Sequence, residues 1–137
     1  MTEVATKTHL AVSADQVWGV IGDFHTLPDW HPLVNKSESA DGGMVRKLTL
    51  PDGSGITEKL EHTDDNERTY SYGIMAGPLP VSNYRATIRV VPDDDGAGCT
   101  VEWSSEFEAV GSETDAMAAI RGVFDAGLEN LKKMFPG

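Results

Sequence analysis

The chain has 137 residues, 39% of them apolar and 24% charged, which is enough for one globular domain and too mixed in composition for disorder. Its 22 acidic and 11 basic side chains give a formal charge of −11, a field that repels nucleic acid and anionic membrane surfaces, and no basic stripe offsets it. Cys99 is the single cysteine, which excludes an intrachain disulfide and a thiolate zinc site. No basic segment followed by an apolar run opens the sequence, and no stretch approaches the ~20 apolar residues of a membrane span, so a cytoplasmic protein is expected.

Residues Glu3 to Val12 alternate loosely and carry Val, Thr and Leu, which predicts a strand. Ser13 and Gln16 then stand at the spacing of a capping box, and Val17, Trp18, Ile21 and Phe24 follow at helical intervals. Pro28 and Pro32 bracket Trp30 and set off a second short helix or turn. From Val34 to Ala109 the sequence reads as a meander, with turn clusters at Asp41-Gly42-Gly43, Asp52-Gly53-Ser54-Gly55, Asp64-Asp65-Asn66 and Asp93-Asp94-Asp95-Gly96. Between them, period-two rows predict which side chains share a face: Met44, Arg46, Leu48 and Leu50; Ile56, Glu58, Leu60 and His62; Tyr70, Tyr72 and Ile74; Tyr84, Ala86, Ile88 and Val90; Val101, Trp103, Ser105 and Phe107. The last segment, Glu113 to Phe135, places Met117, Ile120, Phe124, Leu128, Leu131 and Phe135 on one stripe of a long helix. Ser112 or Thr114 can cap its start, and Lys132 and Lys133 suit its negative end. Gly127 lies near the stripe, where close backbone approach or spare room beside it would explain a residue costing ~1 kcal/mol against alanine.

This order of elements leaves one apolar sheet face with a single long helix to cover it. A helix is ~10 Å across and strands lie ~4.8 Å apart, so the helix covers about two strands of a flat sheet, and a sheet of six or seven must curl around it. Space then remains unless bulky side chains fill it. Arg46 and Glu58 are the most informative residues on that face, because charges among apolar neighbours are rare. They lie on adjacent strands of one hairpin, opposite or diagonal to each other. Desolvating two ions costs several kcal/mol each, against ~4 kcal/mol of attraction at 4 Å and an effective dielectric near 20. The pair is therefore not explained by stability alone. It marks either a site lined by ligand or a solvated pair at an open rim. The candidate ligand-binding set is Trp30, Arg46, Glu58, His62, Tyr70, Tyr72, Tyr84, Trp103 and Phe124, with Glu58 and Arg46 as candidate catalytic residues. The tyrosines also fit plain core packing, and Trp30 fits either a plug in the first loop or a lip of the cavity.

Val17-Trp18 with Ile21 and Asp23-Phe24, then Trp30-His31-Pro32, resembles the opening of the START-related polyketide cyclase/dehydrase and lipid-transport superfamily (SRPBCC). The middle of the chain, from Val45-Arg46 through Glu58, Tyr70 and Tyr72 to Pro78-Leu79-Pro80-Val81 and Tyr84, is similar to it as well, as are Trp103 and Gly127-Leu128 near the end. The resemblance covers essentially the whole chain. It implies an α+β helix-grip fold: a curved seven-stranded antiparallel sheet around the C-terminal helix, with two short helices after strand 1, enclosing a hydrophobic tunnel. It also implies a ligand from among sterols, lipids, plant hormones and polyketides, and in some members cyclisation or dehydration. Gly77-Pro78-Leu79-Pro80 resembles a gate loop at the tunnel mouth.

The expected function is binding of a small hydrophobic or aromatic molecule, with acid/base chemistry at Glu58 as its enzymatic form and a ligand-dependent partner-binding module as its alternative. His9, His25, His31 and His62 lack metal-ligand spacing and read, as a set, as surface histidines; the Asp93–Asp95 run lacks a calcium-loop pattern. No Gly-rich phosphate cradle follows a strand, so no metal or cofactor is indicated. A monomer or weak homodimer is expected.

Overall fold

The structure is a computed structural model and describes residues 2–135. Strand β1 (Thr2–Leu10) leads into helix α1 (Ala14–Ile21), where the anticipated capping box forms: the Gln16 N–H donates to Ser13 Oγ at 3.2 Å and the Ser13 N–H to Gln16 Oε1 at 3.3 Å. The second short helix is a single 3-10 turn, Leu27–Asp29, started by Pro28 at a position where a missing N–H costs nothing. Six strands follow: β2 (Lys36–Ala40), β3 (Val45–Thr49), β4 (Gly55–Asp64), β5 (Thr69–Ala76), β6 (Val81–Pro92) and β7 (Cys99–Ala109). Helix α2 (Glu113–Met134) closes the chain, with Ser112 Oγ accepting the Asp115 N–H.

All neighbouring strands are antiparallel, in the order β1-β7-β6-β5-β4-β3-β2. The meander runs from β2 to β7, and β7 then lies along β1. Register shifts interrupt β4 against β5 and β6 against β7, which bends the strands and bows the sheet. Helix α2 buries Ile120, Phe124, Leu128 and Leu131, the centre of the anticipated stripe, against the inner face. That face carries the rows Tyr84-Ala86-Ile88-Val90 and Val101-Trp103-Ser105-Phe107, all buried. Met44 departs from its expected row. Its N–H donates to the Asp41 carbonyl, so it closes the preceding turn, lies outside β3 and is 43% exposed.

Gly127 explains how the helix seats. A β-carbon there would come within 2.8 Å of the His31 ring and 3.0 Å of both Trp30 and Trp103. The close approach expected from the sequence is therefore real, and it lets the Trp30-His31 segment wedge between α2 and β7. Gly122, facing open space, has no such role.

Candidate functional site

Arg46 and Glu58 sit directly opposite each other in the β3–β4 register. Arg46 Nε donates to Glu58 Oε1 at 2.8 Å, and Nη2 lies 2.7 Å from the same oxygen, held there by charge without a well-aligned hydrogen bond. Nη1 donates to the Phe24 carbonyl at 2.8 Å. The guanidinium is layered between aromatic faces, 4.0 Å from the Phe24 ring centroid and 4.8 Å from that of Tyr72. Burial pushes the Glu58 carboxyl upward and the neighbouring guanidinium pulls against it, with the net direction up. The carboxylate in turn holds Arg46 above its ordinary value, so the arginine stays charged.

This pair lies in the wall of a cavity of about 320 Å³ between α2 and the sheet. The cavity size is at the lower end of small-molecule pockets and corresponds to roughly ten waters at ~30 Å³ each. Aliphatic side chains make most of the wall, including Leu48, Ile56, Ile74, Ile120 and Val123. Exposed Leu33, Pro51 and Asp52, with half-buried Leu79 from the anticipated gate loop, mark its mouth. The hollow expected from one helix under a bowed sheet is present.

Of the candidate ligand-binding residues, Arg46, Glu58, Tyr72, Tyr84 and Trp103 line the cavity. Trp103 Nε1 donates to the Tyr72 hydroxyl at 3.1 Å, and Ser105 Oγ donates to the Val4 carbonyl at 3.4 Å. Burial pushes all three tyrosine hydroxyls up, which keeps them neutral.

Four candidates fall elsewhere. His62 is exposed: the β4 bulge between Leu60 and His62 breaks the period-two alternation and pairs His62 with outward-facing Ser71. Trp30 is 1% exposed and packs behind the wall against Trp103, at 5.5 Å between centroids, as a plug of the first loop. Phe124 stacks on Trp103 at 4.4 Å and is hidden by it. Tyr70 packs beside Phe24 in the layer behind Arg46.

His31 is the residue that sequence reasoning missed. Read as a surface histidine, it is 1% exposed and lines the cavity. Its Nε2 bonds the Val123 carbonyl at 2.7 Å, while the Leu33 N–H bonds Nδ1 at 3.2 Å. A carbonyl only accepts and a backbone N–H only donates, so the ring is neutral with its proton on Nε2. Desolvation lowers its pKa further from the ordinary value. The available signal was the Gly127 gap in the helix stripe, but the spacing could not say which ring fills it.

Comparison with known proteins accords with this geometry. The family described as "Polyketide cyclase / dehydrase and lipid transport" matches residues 1–135. The chain belongs to that family. Like other members of the SRPBCC superfamily, it has the START-like helix-grip architecture. The solved structure of XoxI from Bacillus cereus shares 40% identity and a TM-score of 0.96, covering 98% of this chain and 96% of that one. Two Arabidopsis thaliana relatives are more distant. MLP-like protein 423 is 28% identical over 134 residues, spanning 88% of this chain and 83% of the relative. Abscisic acid receptor PYL2 is 27% identical over 131 residues, spanning 86% and 69%. Among the described residues, no helix is long and apolar enough to cross a membrane.

Proposed function

We propose that the protein binds a small, mainly apolar molecule, aromatic or polyketide-like, in the cavity between α2 and the sheet, with its polar end against Glu58. The observation that carries this reading is a buried ion pair in the wall of a mainly apolar cavity. A solid core gains nothing from such a pair, since apolar side chains of equal volume serve as well or better. An open hollow gains a polar anchor that fixes orientation. A receptor for a small molecule among the relatives supports the same class of ligand.

Proton transfer at Glu58 is a second reading, favoured by the upward push on its carboxyl in a water-poor wall. Arg46 opposes it by keeping the carboxylate charged, so binding is the primary proposal. Native mass spectrometry of protein purified from its own source tests it. A co-purifying small molecule, displaced by added ligand, is the expected result. An empty protein that also ignores a panel of aromatic ketones and phenols overturns the reading, and turnover of a bound ketone moves Glu58 from anchor to acid/base catalyst.

A further inference from the structure

Two phenolic protons in the cavity wall find no acceptor among the described residues. Trp103 Nε1 can only donate, so at 3.1 Å it makes the Tyr72 oxygen an acceptor and leaves the Tyr72 proton unspent. The Tyr84 hydroxyl has no hydrogen-bond partner among the described residues, although the residue is only 7% exposed. Unlike the Tyr70 hydroxyl, which is closed off behind Arg46, it keeps open surface, and its inward side chain lines the cavity. The other side-chain donors of the wall are committed. Arg46 Nε and Nη1 go to Glu58 and the Phe24 carbonyl, Nη2 is sealed from the hollow, and the His31 proton goes to Val123. Both phenols are also fixed in place on neighbouring strands β5 and β6, their ring centroids 6.3 Å apart. Tyr84 stacks on Phe107 at 6.0 Å, and Tyr72 packs beside Phe24 at 6.1 Å. A buried donor without an acceptor is costly, so this pair is set for an oxygen that arrives with the ligand.

We propose that Tyr84, with Tyr72 beside it, forms a carbonyl-binding subsite, where a ketone oxygen on the ligand's aromatic body accepts the phenolic protons. The inference rests on the cavity-binding reading and adds a second polar group to the ligand. A carbonyl oxygen has two lone pairs and can accept from both phenols. Glu58, as a carboxylate, can only accept and serves the opposite need. It stands on β4, the strand next to β5, so one small hydroxy ketone can meet both poles. Fixed donors of this kind add affinity because little ordering remains to be done on binding.

Isothermal titration of the full chain at pH 7 with 2-acetylnaphthalene and 2-isopropylnaphthalene tests this. The two are alike in shape, one carrying a carbonyl oxygen where the other has a methyl group. Tyr84→Phe keeps the ring against Phe107 and removes only the hydroxyl. It should weaken the ketone about three- to tenfold, as expected for one neutral hydrogen bond, and leave the hydrocarbon's affinity unchanged or improved. The infrared carbonyl stretch of the bound, isotope-labelled ketone gives a second readout. It should lie lower than in hydrocarbon solvent and rise in both Tyr84→Phe and Tyr72→Phe. Should the variants fail to fold, the wild-type stretch decides alone. Equal weakening of both ligands, an unchanged ketone affinity or an unshifted stretch overturns the subsite while leaving cavity binding intact. Binding of neither ligand overturns both.

Discussion

Arg46 is almost completely removed from water, yet nearly every polar atom it carries is accounted for, by one carboxylate oxygen and one backbone carbonyl. Removing one partner of such a pair leaves the other as a naked buried charge, which costs about 3–5 kcal/mol, whereas replacing both is close to neutral. Arg46→Met alone should therefore lower stability by about that amount, and Arg46→Met with Glu58→Leu should recover most of it. Urea denaturation of the two single variants and the double variant measures the coupling. His62 supplies the control. On the outer side of the β4 bulge it touches neither pair nor cavity, and His62→Ala should leave affinity for a cavity ligand unchanged, as read by isothermal titration. His31 contributes a pH dependence. Its folded pKa lies below the ordinary 6.5, so the unfolded chain binds the proton more readily and stability falls as pH drops from 6.5 toward the folded value. Glu58 acts in the opposite sense, since its raised carboxyl pKa favours the folded state as it protonates. The nearby charge of Arg46 also faces His31 and opposes its protonation. Wild type should thus lose stability more steeply than His31→Gln between pH 6.5 and 5, read as the difference between their urea midpoints.

At the scale of elements, helix α2 and the Trp30-His31 segment depend on each other. The same glycine that weakens the helix intrinsically lets an imidazole reach the Val123 carbonyl and two indoles close around it. Gly127→Ala should destabilise by about 1–3 kcal/mol, the usual effect of overpacking a tight site. Gly122→Ala, whose added methyl meets nothing, should stabilise by about 1 kcal/mol through helix propensity. Opposite shifts in melting temperature for two identical substitutions five residues apart on one helix separate packing from propensity, and differential scanning calorimetry reads both. The β4 bulge shows the reverse relation, in which an irregularity of a single residue re-aims a side chain that regular alternation would have sent inward.

For the molecule as a whole, function resides in volume left unfilled. Val123 lines the cavity from the helix side and is half-buried. Val123→Phe should occupy part of the 320 Å³, lowering affinity for a bicyclic ligand at least about ten-fold, the effect of losing roughly 1.4 kcal/mol. The unfolding free energy from urea denaturation should stay within about 1 kcal/mol of wild type, because the ring enters space rather than core. A full loss of folding would show instead that the hollow is too small to accept a ring.

Much of this was legible in the sequence, and for a definite reason. Side-chain period reports which face of an element is apolar, and turn residues report where elements end; both are local properties. Hence Ser13 and Gln16, the inward rows of β6 and β7, the stripe on α2 and the Arg46–Glu58 pairing all follow from spacing, and the mismatch of one helix to six or seven strands follows from counting. Depth was not legible. Trp103 and Phe124 belong to equally good inward rows, yet one lines the cavity and the other is stacked behind it. The bulge that exposes His62 and the burial of His31 against Gly127 depend on contacts between segments far apart in the chain. The hydrogen bonds that anchor Arg46, Ser105 and His31 likewise depend on backbone carbonyls at Phe24, Val4 and Val123 that no side-chain pattern encodes. The chain alone thus determined the architecture and the charged pair at its centre, because both rest on local periodicity. Only the packed structure decided which atoms face the hollow, because that is settled by how distant segments fit together.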